Sequence, residues 1–280
     1  MPDPYDFSNF SDDMPKTALI TGASSGIGLE FAHVFAEQGF DIILVARREE
    51  QLKALGKTLR TEYGVLTHVI PTDLADPASP QILYDTIKEK KLSVDVLVNN
   101  AGFAVFSGFL ETDWQQHANL MQVLNTSLVE LCYLFAADMK QKQYGRIVNV
   151  ASIAAFLPQA TGSLYCAAKA FVVGFSQAIN LELKPHGVHC TALCPGLTRS
   201  EFFDKLGPRT LARHLPKFLW MDARKVATEG YQAVMEGKPV HINGRLNTGL
   251  SQLMMSMPLQ AKYFLAKKQS WLGDLPKIGS

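Results

Sequence analysis

From Lys16 onward, short apolar runs alternate with helix-forming stretches, and this alternation constrains the fold more than any other feature. The runs are "KTALIT", "DIILVA", "LTHVIP", "VDVLVN", "GRIVNVA", "VHCTALC" and "PVHING". Most are continuously apolar rather than alternating, which marks strands buried on both faces. Helical patterns separate them. They cover Ile27 to Gln38 (ended by Gly39), "EEQLKALGKTLRTEY", Pro80 to Lys90, Trp114 to Lys140 with Thr112 or Asp113 as N-cap, and Gly162 to Leu183. Strand–helix–strand order predicts an α/β fold: a single doubly wound parallel sheet of about seven strands, helices on both faces, and a ligand site at the carboxyl ends of the strands. The expected division is a flexible tail at 1–14, one domain over 15–245, and a C-terminal extension over 246–280 that packs on the domain or on an oligomer interface.

Composition narrows the partners. Lys plus Arg number 27 against 26 Asp plus Glu, so no basic field favours nucleic acid. The seven His carry no HExxH or other ligand spacing, and no metal is expected. Cys132, Cys166, Cys190 and Cys194 form no CxxC. Cys190 and Cys194 share one strand, too far apart for a disulfide, so all four read as buried thiols in a reducing compartment. The N-terminus, "MPDPYDFSNFSDDMPK", lacks the order of a signal peptide, and no uninterrupted apolar run reaches the length of a membrane span. The expectation is a soluble cytoplasmic protein that does not engage membranes.

The turn after the first strand is "TGASSGIG", opening directly into a helix. Gly22, Gly26 and Gly28 permit a tight turn, close backbone approach and close helix packing. The helix N-terminus then offers free N–H groups to a pyrophosphate. The spacing is TGxxxGxG rather than GxGxxG.

With "NNAG" (Asn99 to Gly102), "YCAAK" (Tyr165 to Lys169) and the Pro195-Gly196 turn followed by Thr198, this loop resembles the short-chain dehydrogenase/reductase family. The motifs occur in the family's order, from about Lys16 to Leu197. The resemblance implies a Rossmann-type fold and a nicotinamide cofactor held by Gly22, Ser24, Ser25, Gly26, Ile27, Gly28, Asp73, Leu74, Asn100, Ala101, Gly102, Tyr165, Lys169, Pro195, Gly196 and Thr198. It assigns Asn99 and Asp95 to supporting the sheet. At the end of the second strand an NAD site carries an acidic residue. Here Ala46 is followed by Arg47 and Arg48. A guanidinium clamps a phosphate and a carboxylate repels one, so the expected cofactor is NADPH/NADP+, with Ser24 joining on the 2′-phosphate.

Tyr165 and Lys169 lie four apart, on one helix face. So do Tyr84 and Lys88. Ser152 stands thirteen residues before Tyr165 and Asn125 a further twenty-seven upstream, whereas Pro71 stands thirteen before Tyr84. Asn125, Ser152, Tyr165 and Lys169 therefore resemble the family's catalytic tetrad, and Tyr84 with Lys88 is a piece of helix. In that tetrad Tyr165 is the proton donor. Lys169 should lower its pKa and bind the nicotinamide ribose, Ser152 should hold the carbonyl oxygen, and Asn125 should hold a water leading to Lys169.

"FAVFSGFL", "IAAFLPQATG" and the stretch from Thr198 to Asp222 are rich in Phe and Leu. They point to a lipophilic ketone or aldehyde, or the corresponding alcohol, as substrate. The last stretch carries Phe202, Phe203, Leu206, Phe218, Leu219 and Trp220 among Arg199, Lys205, Arg209 and Arg213, and reads as a lid. Leu131, Leu134, Phe135, Phe171, Phe175 and Ile179 offer apolar surface for a homodimer or homotetramer. Two other activities fit less well. NAD-linked alcohol oxidation conflicts with Ala46-Arg47, and a non-catalytic NADPH sensor would not need the tetrad.

Overall fold

The computed structural model describes residues 15–159, 162–204, 216 and 219–270. The expected tail at 1–14 and the last ten positions of the extension lie outside them.

Seven strands form one parallel sheet in the order β3-β2-β1-β4-β5-β6-β9. They are β1 (Thr17–Thr21), β2 (Asp41–Ala46), β3 (Thr67–Pro71), β4 (Val96–Asn99), β5 (Gly145–Val150), β6 (Val188–Cys194) and β9 (Val240–Ile242). All five residues of β1 are buried, as continuous apolar strands require when both faces are covered. Leu19 pairs with Ile43 on one side and Leu97 on the other. The chain runs outward from β1 to β3 and returns to β4, so the strand order reverses between β1 and β4. A doubly wound sheet opens its ligand crevice there, at the carboxyl ends of the strands.

Helices cover both faces. α1 (Gly26–Glu37), α2 (Glu49–Tyr63) and α8 (Ala223–Met235) bury one core against the sheet, built around Phe31, Phe35, Leu52 and Val226. α3 (Ser79–Glu89), α5 (Ser127–Lys142) and α6 (Ser163–Leu183) bury the other, around Leu83, Leu131, Phe135 and Val172. Asp113, one of the two cap candidates, caps α4 (Trp114–Met121) by accepting from the Gln115 N–H at 2.8 Å. The long helix expected from Trp114 to Lys140 is interrupted: a π-helical turn, Gln122–Thr126, separates α4 from α5. Two helical stretches, Trp114–Lys142 and Ser163–His186, are apolar and long enough by composition to cross a membrane. Both pack on the sheet and bury much of their apolar surface there. The four cysteines are buried free thiols.

Two short parallel strands, β7 (Thr198–Arg199) and β8 (Met221–Asp222), bracket the expected lid, and a four-residue helix, α7 (Glu201–Asp204), opens it. The middle of that segment, with Lys205, Leu206, Arg209, Arg213 and Phe218, lies outside the described residues. In the C-terminal extension, α9 (Arg245–Ser256) packs against the turn Ile153–Phe156, and α10 (Leu259–Ser270) follows it.

Candidate active site

A cleft of about 620 Å³ opens at the switch point. Gly22 follows β1 with φ +67°, and a Cβ there would come within 2.8 Å of the Asn100 side chain. Only glycine permits both the turn and that approach. Thr21, at the end of β1, fixes the neighbouring wall: its hydroxyl receives the N–H groups of Asn100 and Ala101, each at 3.0 Å. Thr21 is not among the expected site residues, although a threonine directly before a glycine turn is a candidate for such a backbone brace. Asn100 Nδ2 returns a bond to the Thr21 carbonyl at 3.0 Å.

The first turn of α1 faces the cleft. Its N-cap, Ser25, makes no side-chain capping bond, so the orphan N–H groups of this turn suit an anion. Ser24, Ser25, Gly26, Ile27, Arg47, Arg48, Asp73, Leu74, Gly102, Pro195, Gly196 and Thr198 line the same cleft as Gly22, Asn100 and Ala101. Gly28 does not line it. Its place is behind the loop, where a Cβ would sit 2.4 Å from both Asn100 Nδ2 and the Gly22 carbonyl oxygen. A nicotinamide dinucleotide fits this donor set, with free helix amides for a pyrophosphate.

Ser152, Tyr165 and Lys169 line the cleft as well. Ser152 lies two residues past β5 in an extended conformation, and its Oγ accepts from the Ala154 N–H at 3.1 Å. Its own hydroxyl proton is thereby left to donate elsewhere. Tyr165 is buried between Phe106 and Phe202, with ring centroids 5.6 and 6.1 Å away. Lys169 Nζ donates to the Val150 carbonyl at 2.6 Å and stands 5.8 Å from the centre of the Tyr165 ring.

Burial dominates the electrostatics. It pushes the Tyr165 phenol up to about 12, with hydrogen bonding to Ser152 opposing it. It lowers Lys169 to about 8. Desolvation thus opposes the lowering of the phenol expected from Lys169. Desolvation outweighs the ammonium, which is itself weakened as a charge by the same burial.

Asn125 lies one layer behind. It is buried, and the π-helical turn presents it to α6, where Nδ2 donates to the Ala168 carbonyl at 3.2 Å. Its Oδ1 has no hydrogen-bond partner among the described residues. The turn has no signature in composition, so the sequence placed Asn125 on a plain helix.

The second Tyr–Lys pair lies elsewhere. Tyr84 and Lys88 both bind Asp138 on α5, at 3.2 and 3.1 Å, which is a helix–helix brace. Asn99 ties β4 to β5 through Asn149 at 2.9 Å, and Asp95 accepts from the Thr17 N–H at 2.9 Å. Both keep the sheet-supporting places expected of them.

The family model for short chain dehydrogenases matches residues 16–210. The chain belongs to the short-chain dehydrogenase/reductase family. A very-long-chain 3-oxoacyl-CoA reductase of Meyerozyma guilliermondii is 35% identical over 66% of this chain and 57% of the relative. Mouse 17-beta-hydroxysteroid dehydrogenase type 3 is 33% identical over 67% of this chain and 62% of the relative. The match thus spans less than two thirds of either protein's length. Among solved structures, a short-chain dehydrogenase from Sphingobium yanoikuyae in complex with NADPH is 31% identical with a TM-score of 0.76, covering 95% of this chain and 98% of the other. A family member from Burkholderia phymatum in complex with NAD is 27% identical with a TM-score of 0.76, covering 85% and 92%. The chain's Rossmann-type sheet matches these neighbours, and a nicotinamide cofactor is common to both complexes.

Proposed function

We propose that this dehydrogenase reduces a lipophilic ketone or aldehyde with NADPH, with Tyr165 as the proton donor. The observation that carries the reading is that Ser152, Tyr165 and Lys169 line the same cleft as Arg47 and Arg48. The nicotinamide, when bound, supplies hydride to the carbonyl carbon. The remaining work belongs to the chain. Ser152 donates a hydrogen bond to the carbonyl oxygen and holds it near the phenol. As the carbon gains its bond, the oxygen becomes an alkoxide and takes the proton from the Tyr165 hydroxyl. An alkoxide is a far stronger base than a phenolate, so even a phenol raised by burial can give up its proton to it. Lys169 stands beside the resulting phenolate and favours its charge. Asn125 Oδ1, unpaired and buried, suits a water that returns a proton toward Lys169.

Phe103, Val123, Leu124 and Phe202 line the cleft, which supports an apolar substrate. Arg47 and Arg48 support the 2′-phosphorylated cofactor, because a carboxylate at this place would repel it. The same pair weighs against NAD-linked alcohol oxidation. The four buried thiols support a reducing compartment such as the cytoplasm.

The experiment is cofactor oxidation across a panel of apolar and polar carbonyls, with NADPH and NADH in parallel. Turnover of bulky apolar carbonyls with NADPH is the expected result. Equal use of NADH, or a preference for polar carbonyls, would overturn the corresponding half of the proposal.

A further inference from the structure

Arg48 lies over the glycine loop with its donors engaged. Nε and Nη2 donate to Ser24 Oγ at 3.1 and 3.0 Å, and Nη2 donates to Ser25 Oγ at 2.7 Å. Nη1 donates to Glu201 Oε2 at 2.8 Å. A guanidinium has five N–H bonds, and these contacts use four of them. A phosphate gripped in the bidentate manner needs two. A 2′-phosphate reaching Arg48 must therefore displace a partner. The serine hydroxyls can rotate and become donors to the phosphate. The Glu201 carboxylate can only accept, and it carries the same sign of charge, so Glu201 is the partner that leaves.

Glu201 is also placed to report that event. It opens α7 beside Phe202, whose ring packs 6.1 Å from that of Tyr165. The preceding Ser200 lies on the glycine loop, where a Cβ on Gly26 would come within 3.0 Å of its own. The segment therefore crosses the cleft from the catalytic tyrosine to the arginine, spanning a sequence separation of 153 residues at the Arg48–Glu201 contact.

Resting on the NADPH reading, we infer that the Glu201 carboxylate is a built-in stand-in for the 2′-phosphate of the cofactor. It occupies Arg48 when no phosphate is there. An arriving phosphate replaces it on Arg48. The two anions compete for one cation, so Glu201 sets how strongly the enzyme distinguishes phosphorylated from unphosphorylated adenosine. It is a specificity-determining residue that touches neither the reacting carbonyl nor the nicotinamide.

Calorimetric titration of adenosine 2′,5′-bisphosphate and adenosine 5′-diphosphate tests this on the whole protein without turnover. Glu201→Gln removes the charge and keeps the shape, and Glu201→Ala removes both. The Glu201 side chain is half-exposed, so neither change disturbs the core. Both variants should bind the 2′,5′-bisphosphate about ten-fold more tightly than the parent, a charge-assisted contact discounted for its exposure. Binding of the 5′-diphosphate should stay unchanged. An unchanged or weaker affinity for the 2′,5′-bisphosphate overturns the inference, as does an equal gain for both nucleotides. If the parent prefers the 2′,5′-bisphosphate and the variants gain nothing, the stand-in fails alone. If neither parent nor variants show the preference, the NADPH reading fails with it. A preference that emerges only in the variants supports the stand-in.

Discussion

Replacing Lys169 by Met should flatten the pH dependence of stability of the unliganded enzyme in one definable window. Burial lowers this ammonium from 10.5 to about 8. The unfolded chain therefore holds the Lys169 proton between pH 8 and 10.5 while the folded chain has released it. Where the unfolded state binds more protons, stability rises with pH. Below pH 8 both states are protonated, and the full penalty for a charged, buried Lys169 is present, about 3 kcal/mol from the size of the shift. Raising the pH from 7 to 9 should relieve about 1.4 kcal/mol of it. Above pH 9 the buried thiols act in the opposite sense. Cys132, Cys166 and Cys194 are raised to about 12, 11 and 12, so the unfolded chain loses those protons first and stability falls. Urea denaturation of both proteins at pH 7, 8 and 9 isolates Lys169 as the difference between the two curves. Loss of the Nζ bond to Val150 shifts the variant by an amount that does not change with pH. Parallel curves across this window would refute the claim that burial holds Lys169 charged at a cost.

Three other outcomes follow from the geometry. Arg47→Asp should weaken NADPH about ten-fold or more and spare NADH, as read from the two Michaelis constants. Gly28→Ala should lower stability by about 1–3 kcal/mol in thermal melts, because its Cβ would sit 2.4 Å from Asn100 Nδ2 and the Gly22 carbonyl oxygen. Light scattering should show at least a dimer, because Tyr133, Phe171 and Leu181 expose 77, 47 and 76% of their surface on α5 and α6.

The sheet was legible because burial on both faces writes itself into composition. "EEQLKALGKTLRTEY" coincides with α2 from Glu49 to Tyr63. Its apolar spacing and the glycine that follows mark both ends. The glycine loop and Tyr165-x-x-x-Lys169 were legible because local spacing fixes their geometry. What the sequence hid depends on distant parts meeting. Of the six residues expected to serve both core and partner, Leu131 and Phe135 are wholly committed to the core, while Phe171 remains exposed. Glu201 meets Arg48 across most of the chain, and no local pattern announces that. The raised phenol of Tyr165 was missed for a related reason. Helical spacing shows that a lysine is near, but only packing shows how much solvent both groups have lost.

Tyr165 is the group on which the proposed proton transfer depends most directly. Single-turnover oxidation of bound NADPH by a bulky apolar ketone should be compared in the parent, Tyr165→Phe and Tyr84→Phe proteins, with NADPH affinity measured in each. Tyr165→Phe should slow the step by about a hundred-fold or more and leave NADPH affinity nearly unchanged, and Tyr84→Phe should react like the parent. A Tyr165→Phe protein that retained the parent's rate would show that the proton comes from another group and that the cleft's chemistry has been misassigned.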